Sequence, residues 1–148
     1  MKHLTATAIF TSALFLAAAA QAADPKKEAG NKRFMDSSSA ALISADEAKK
    51  VMDANIPENA WKIIKGSQYV WLSQVEGGMR GTTCVVAARV TVLPLTPTMN
   101  APLYRPRETA IAFDALPNSS IEACKVLARD KLKEATSAVA STIVKTKT

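Results

Sequence analysis

"GTTCVVAARVTVLP", residues 81–94, is the stretch that decides the fold. Cys84, Val86, Ala88, Val90 and Val92 alternate with Thr83, Val85, Ala87, Arg89 and Thr91, the period of two that sends successive side chains to opposite faces of a strand. The set from Cys84 to Val92 is the core face. A strand with one buried face needs neighbours to pair with and a layer to cover it, and the flanking sequence offers both.

Before it, "SQYVWLSQV" (67–75) is rich in aromatic and β-branched residues and is closed by Gly77, Gly78 and Gly81, which predicts a strand followed by a loose hairpin turn. Tyr69, Trp71 and Val75 share one side and Val70 and Leu72 the other, so the pattern leaves its inner face open. After it, "ETAIAFDA" (108–115) predicts a third strand with Ile111 and Phe113 inward and Asp114 on the opposite face. The connection "PLTPTMNAPLYRPR" holds Pro94, Pro97, Pro102 and Pro106, which exclude helix and central strand and favour extended, polyproline-like backbone.

Two helices flank the strands. Ser44 and Glu47 form a capping box, Ile43 can staple onto Ala48, and Ala48, Val51 and Met52 share a face, giving a helix over 45–54. "ENAWKIIK" adds a turn with Trp61 and Ile64 inward. Ser119 and Glu122 make a second capping box, after which Ile121, Cys124, Ala128, Leu132, Ala135, Val139 and Ile143 lie in one stripe over about 24 residues. The expected fold is therefore α+β: a small three-stranded antiparallel sheet, a short N-terminal helix and a long C-terminal amphipathic helix on one face, in the order α-β-β-β-α.

The only two cysteines, Cys84 and Cys124, come to the same end of this layer. If the second and third strands pair antiparallel, the start of the second lies beside Ala115, and Cys124 sits one turn into the helix that follows. A disulfide is the reading this geometry favours, with two buried free thiols as the alternative. A redox or metal-binding role lacks both a C-x-x-C pair and a histidine partner.

The N-terminus, "MKHLTATAIFTSALFLAAAAQAADPKK", has Lys2, an apolar run from Ile9 to Ala20 and a small-x-small site at Ala20-Gln21-Ala22, which predicts a cleavable export signal cut after Ala22. The alternative is a retained anchor, although the run is short and Ala-rich for a membrane span. Ala23, where a lipid-modified chain would carry cysteine, shows no lipid box. Removing residues 1–22 leaves 126, read as a flexible arm (23–40) and a single domain (41–148), in the periplasm or outside the cell. That chain carries 18 basic residues against 13 acidic ones, a formal charge of +5, which suits acidic partners or is simply a solvated basic surface. Export argues against nucleic acid.

The single histidine, His3, leaves with the signal. Ser-His-Asp and Cys-His catalysis and histidine-based metal sites go with it, so no cofactor or metal is expected. Of the carboxylates, Asp114 and Glu76 are the two near sheet ends, and their convergence would be needed for a small envelope hydrolase. "EGGMRGTT" lacks the lysine and helix of a phosphate loop. Arg80 with Ser119 and Ser120 at the last helix's N-terminus is a candidate anion site. The strongest candidate is the proline-rich connection, where Met99, Leu103, Tyr104, Arg105 and Arg107 combine apolar, aromatic and cationic side chains of the kinds enriched at interface centres. Its structural counterpart is a stiff crossover or an extended hairpin arm packed on its own domain. The expectation is a non-enzymatic exported binding protein (an inhibitor, a toxin-neutralising partner or an envelope-assembly adaptor) that meets another protein's acidic surface through this loop. The alternatives are the carboxylate hydrolase and an electrostatic binder of an anionic polymer or lipid surface.

Overall fold

The computed structural model describes residues 32–146; the predicted export signal, His3 and the first part of the predicted 23–40 arm lie outside the described residues. The elements are β1 (Phe34–Asp36), α1 (Ala45–Asn55), α2 (Glu58–Ile63), β2 (Tyr69–Arg80), β3 (Thr83–Pro94), β4 (Glu108–Leu116) and α3 (Ile121–Lys145). The strands form one mixed sheet in the order β1-β2-β3-β4, antiparallel except for the parallel β1–β2 pair. Helix α3 packs on β3 and β4, with α1 and α2 beside it. The α+β class and the covering helix are as expected; the sheet has four strands where three were expected, and it is not wholly antiparallel.

The extra strand comes from the end of the predicted flexible arm. Phe34 packs edge-on against Trp61 at 5.3 Å between centroids, and Trp61 in turn meets Trp71 at 5.6 Å. The serine run continues the pairing: Ser37 N–H donates to the Ser73 carbonyl and Ser39 N–H to that of Val75, while Asp36 Oδ1 accepts from the Ser38 and Ser73 hydroxyls at 2.6 Å each. A short polar segment gives no strand signal of its own. Its pairing partner lies almost forty residues on, so this order was not visible in local pattern.

On β3 the expected core face is right, with Cys84, Val86, Ala88, Val90 and Val92 all fully buried, but the alternation in burial ends at Val90, because Thr91 and Leu93 on the other face are buried too. The disulfide joins Cys84 to Cys124 with 5.5 Å between Cα atoms. Both sides of early β2 are covered, which resolves the open question there: Trp71 and Val75 join the main core, while Val70 joins Leu93 and Leu95 in a second, smaller cluster on the other face. The glycines are a correction. Strand β2 runs through Gly77 and Gly78, paired with Val86 and Val85, and the turn is the two-residue loop Gly81-Thr82. Gly77 and Gly78 have φ of +123° and +135°, backbone closed to other residues, and a Cβ on Gly77 would overlap the Val85 carbonyl oxygen. Gly81, at φ +61°, occupies the first loop position, where a twist-matched two-residue hairpin wants glycine.

The second correction is β4. Its core-facing residues are Ala110 and Ala112, opposite Val90 and Ala88, and Ile111 and Phe113 point outward, 54% and 78% exposed. The reason is space. The disulfide and the small residues Ala128 and Ala135 let α3 lie close over Ala88 and Ala112, which leaves no room there for Ile and Phe. The capping boxes are also only half made. Ser44 accepts from the Glu47 N–H, but the Glu47 carboxylate is held by Arg129 at 2.8 Å; in α3 the N-cap is Ser120, accepting from Ala123 N–H, and not Ser119.

Candidate functional site

The proline-rich connection is an extended hairpin arm. Leu95 bridges Pro102, Thr96 N–H donates to the Ala101 carbonyl, Ala101 N–H donates to the Thr96 hydroxyl, and Asn100 takes φ +51° at the tip. Pro94, expected outside the strands, closes β3 opposite Tyr69. Within the sheet Val92 faces Glu108, whereas in the arm Leu95 faces Pro102, where an unbroken register would bring Arg105. Three surplus residues are therefore extruded on the returning side. A bulge of this kind re-aims side chains. Tyr104 is 83% exposed, Arg105 is exposed beside it, and Met99 at the tip is 75% exposed, with Leu103 exposed between tip and bulge. Arg107 turns back, its guanidinium 5.1 Å from the Tyr69 ring centre, a cation–π contact that fixes the arm's root.

Three basic residues that local pattern did not single out stand at this same end. Arg33 precedes β1 and accepts the Trp71 N–H on its carbonyl; Lys65 accepts the Gln68 and Tyr69 N–H groups; Lys62 is in the last turn of α2. A groove of about 510 Å³ lined by Lys32, Arg33, Gly66, Ser67 and Asn100 runs between them and the tip, and Lys62, Lys65 and Trp61 line a neighbouring hollow of about 280 Å³. Lys32 is neutralised by Asp53 at 2.8 Å and Glu58 at 3.8 Å. Arg33, Lys62, Lys65, Arg105 and Arg107 have no carboxylate within ion-pair distance among the described residues. Their positions along the chain, 33, 62–65 and 105–107, are joined only by the pairing of β1, β2 and β3. That is why a linear reading found only the last two.

The two candidate carboxylates do not come together. Glu76 pairs with Ala87 on the outer face of the sheet and accepts from Gln74 Nε2, whereas Asp114 lies on the helix side, 3.3 Å from Lys131 Nζ. The two carboxylates are thus on opposite faces. The Ala115 N–H and then Lys131 hold the Asp114 carboxyl below its ordinary range, which keeps it ionised rather than poised to give up a proton. At the far end, Ser119 N–H donates to the Thr82 carbonyl and Ser120 caps α3, so both serines serve the junction of hairpin and helix, with Arg80 exposed at the hairpin end. No cluster of three metal-ligating side chains occurs among the described residues, and no described helix is long and apolar enough to cross a membrane.

No family model and no curated protein matches the chain. Among solved structures it is similar to a Xanthomonas campestris protein of the DUF330 family, at 11% identity and a TM-score of 0.41 over 79% of this chain and 86% of that one. A minor lipoprotein of Acinetobacter baumannii gives 12% identity and a TM-score of 0.38 over 79% and 92%. Likeness of this degree assigns neither family nor activity.

Proposed function

We propose that this chain is an exported, non-catalytic binding protein that engages an acidic surface of another protein through the arm and the basic residues at its root. The observation that carries the reading is the gathering, at one end, of five cations without carboxylate partners among the described residues, around exposed Met99, Leu103 and Tyr104. Exposed apolar and aromatic side chains ringed by arginine and lysine supply contact area and bring charged partners together by long-range attraction. The leader-like N-terminus and the Cys84–Cys124 bond support export, since such bonds persist in oxidising compartments. A photo-activatable residue at position 104 tests the reading. Irradiation of intact cells should give a discrete adduct with one protein from position 104 and none from position 122, in the exposed first turn of α3. Equal labelling from both positions, or none from 104, would overturn it. Adducts only with lipid or polymer, lost at moderate salt, would replace it with the electrostatic alternative.

A further inference from the structure

The outer edge of β4 has no strand partner among the described residues, and the outer face beside it carries Val85, Ile111 and Phe113 in the open. Natural edge strands are usually guarded by lysine, proline, a bulge or extreme shortness. Strand β4 is nine residues long, holds no lysine, arginine or proline, and keeps an unbroken register with β3 from Leu116 opposite Cys84 to Glu108 opposite Val92. The edge is regular throughout, and its guard is slight: Asp114, on the helix side, accepts the Ala115 N–H at 2.8 Å.

We infer that β4 pairs antiparallel with β4 of a second copy about a two-fold axis at Ala112, joining two four-stranded sheets into one. The sequence of the strand selects this occupant and this register. With the axis at Ala112, all nine residues from Glu108 to Leu116 find partners, Ile111 lies beside Phe113 of the other copy twice over, Glu108 meets Leu116, and Asp114 meets Ala110. Moving the axis to Ile111 shortens the pairing to seven residues and sets Glu108 against Asp114 twice, a like-charge cross-strand pair. Moving it to Phe113 also shortens the pairing and separates Ile111 from Phe113. Nine strand residues run about 30 Å, and the edge is two layers deep, about 20 Å, because α3 lies over β4. The contact is then about 600 Å² per copy, at the lower limit for specific association. The dimer is accordingly weak, and its pairing edge begins at Glu108, next to Arg107 at the root of the arm.

Sedimentation of the purified protein across micromolar to near-millimolar concentration should show a monomer–dimer equilibrium. Ile111→Lys and Phe113→Glu, both at exposed positions, should each weaken dimerisation by about tenfold with thermal midpoints unchanged. Mixing the Ile111→Lys chain with the Phe113→Glu chain should recover dimer to within about threefold of the parent, because in this register alone each lysine faces a glutamate. A protein monomeric throughout, a dimer indifferent to both substitutions, or a mixture no tighter than its components would each overturn the inference.

Discussion

The two ends of this sheet are built for opposite purposes. At the hairpin end, Gly77 allows β2 and β3 to come together where a side chain would collide, Gly81 and Thr82 close the turn, Ser119 bonds back to Thr82, and the disulfide pins α3 to Cys84. Nearly every polar group there serves the fold. At the arm end the backbone is also tied, but Met99, Leu103, Tyr104 and Arg105 project from the arm and contribute little to packing. On the proposed function, the difference separates two kinds of residue: those whose loss should unfold the chain and those whose loss should leave it folded and without a partner.

The sharpest break in that contrast should come from Gly77→Ala. The added Cβ meets the Val85 carbonyl at a φ that alanine resists, and stability should fall by more than about 4 kcal/mol, or the chain should fail to fold. Gly78→Ala, with open space around it, should cost about 1–3 kcal/mol from φ alone. Urea denaturation distinguishes them, and equal midpoints would mean the close approach at Gly77 is not real. Next in size, Cys84→Ser and Cys124→Ser should each cost about 4 kcal/mol on the loop-entropy estimate, and the double variant scarcely more, because all three lose one cross-link.

Leu132→Ala, on the fully buried face of α3, should cost about 2–4 kcal/mol by the same assay, against under about 0.5 for Lys133→Ala on the exposed side of the helix. At the arm end, Tyr104→Ser or Met99→Ser should move stability by less than about 0.5 kcal/mol. A larger loss there would mean that the arm is part of the core. The smallest effect belongs to Asp114. Its folded-state pKa is depressed, so whatever its carboxylate adds to stability is present above the ordinary Asp value of 3.8 and disappears as pH falls through the lower folded value. Asp114→Asn should therefore differ slightly from the parent in thermal midpoint at neutral pH and converge with it in acid.

What was legible in the sequence follows from which forces act locally. Strand β3 was readable because one face is continuous core, and the α3 stripe because Cys124, Ala128, Leu132, Ala135, Val139 and Ile143 do face the sheet, although Ile121 at its head is exposed. The disulfide followed from those two. Strand β4 misled because hydrophobicity and burial part company there: alanines sit under the helix, and Ile111 and Phe113 face outward, so ranking residues by size chose the wrong face. Gly77 and Gly78 read as turn because glycine usually marks one, and here it marks close backbone approach inside a strand. Of the arm-end site, Met99 to Arg107 was visible as an unusual loop. Arg33, Lys62 and Lys65 were not, because the non-local pairing of β1 with β2 brings Arg33 to it and the packing of α2's Trp61 on Phe34 and Trp71 brings Lys62 and Lys65.

The division of labour between the two ends is tested most directly by measuring adduct yield from a photo-activatable residue at position 104 in two folded backgrounds. One removes the disulfide with Cys84→Ser and Cys124→Ser at a temperature where the chain stays folded; the other replaces Arg33, Lys62, Lys65 and Arg105 with serine. The first should retain the adduct despite a lower denaturation midpoint, and the second should lose it with the midpoint little changed. An adduct that survives removal of the four cations, or that disappears with the disulfide in a chain still folded, would contradict that division.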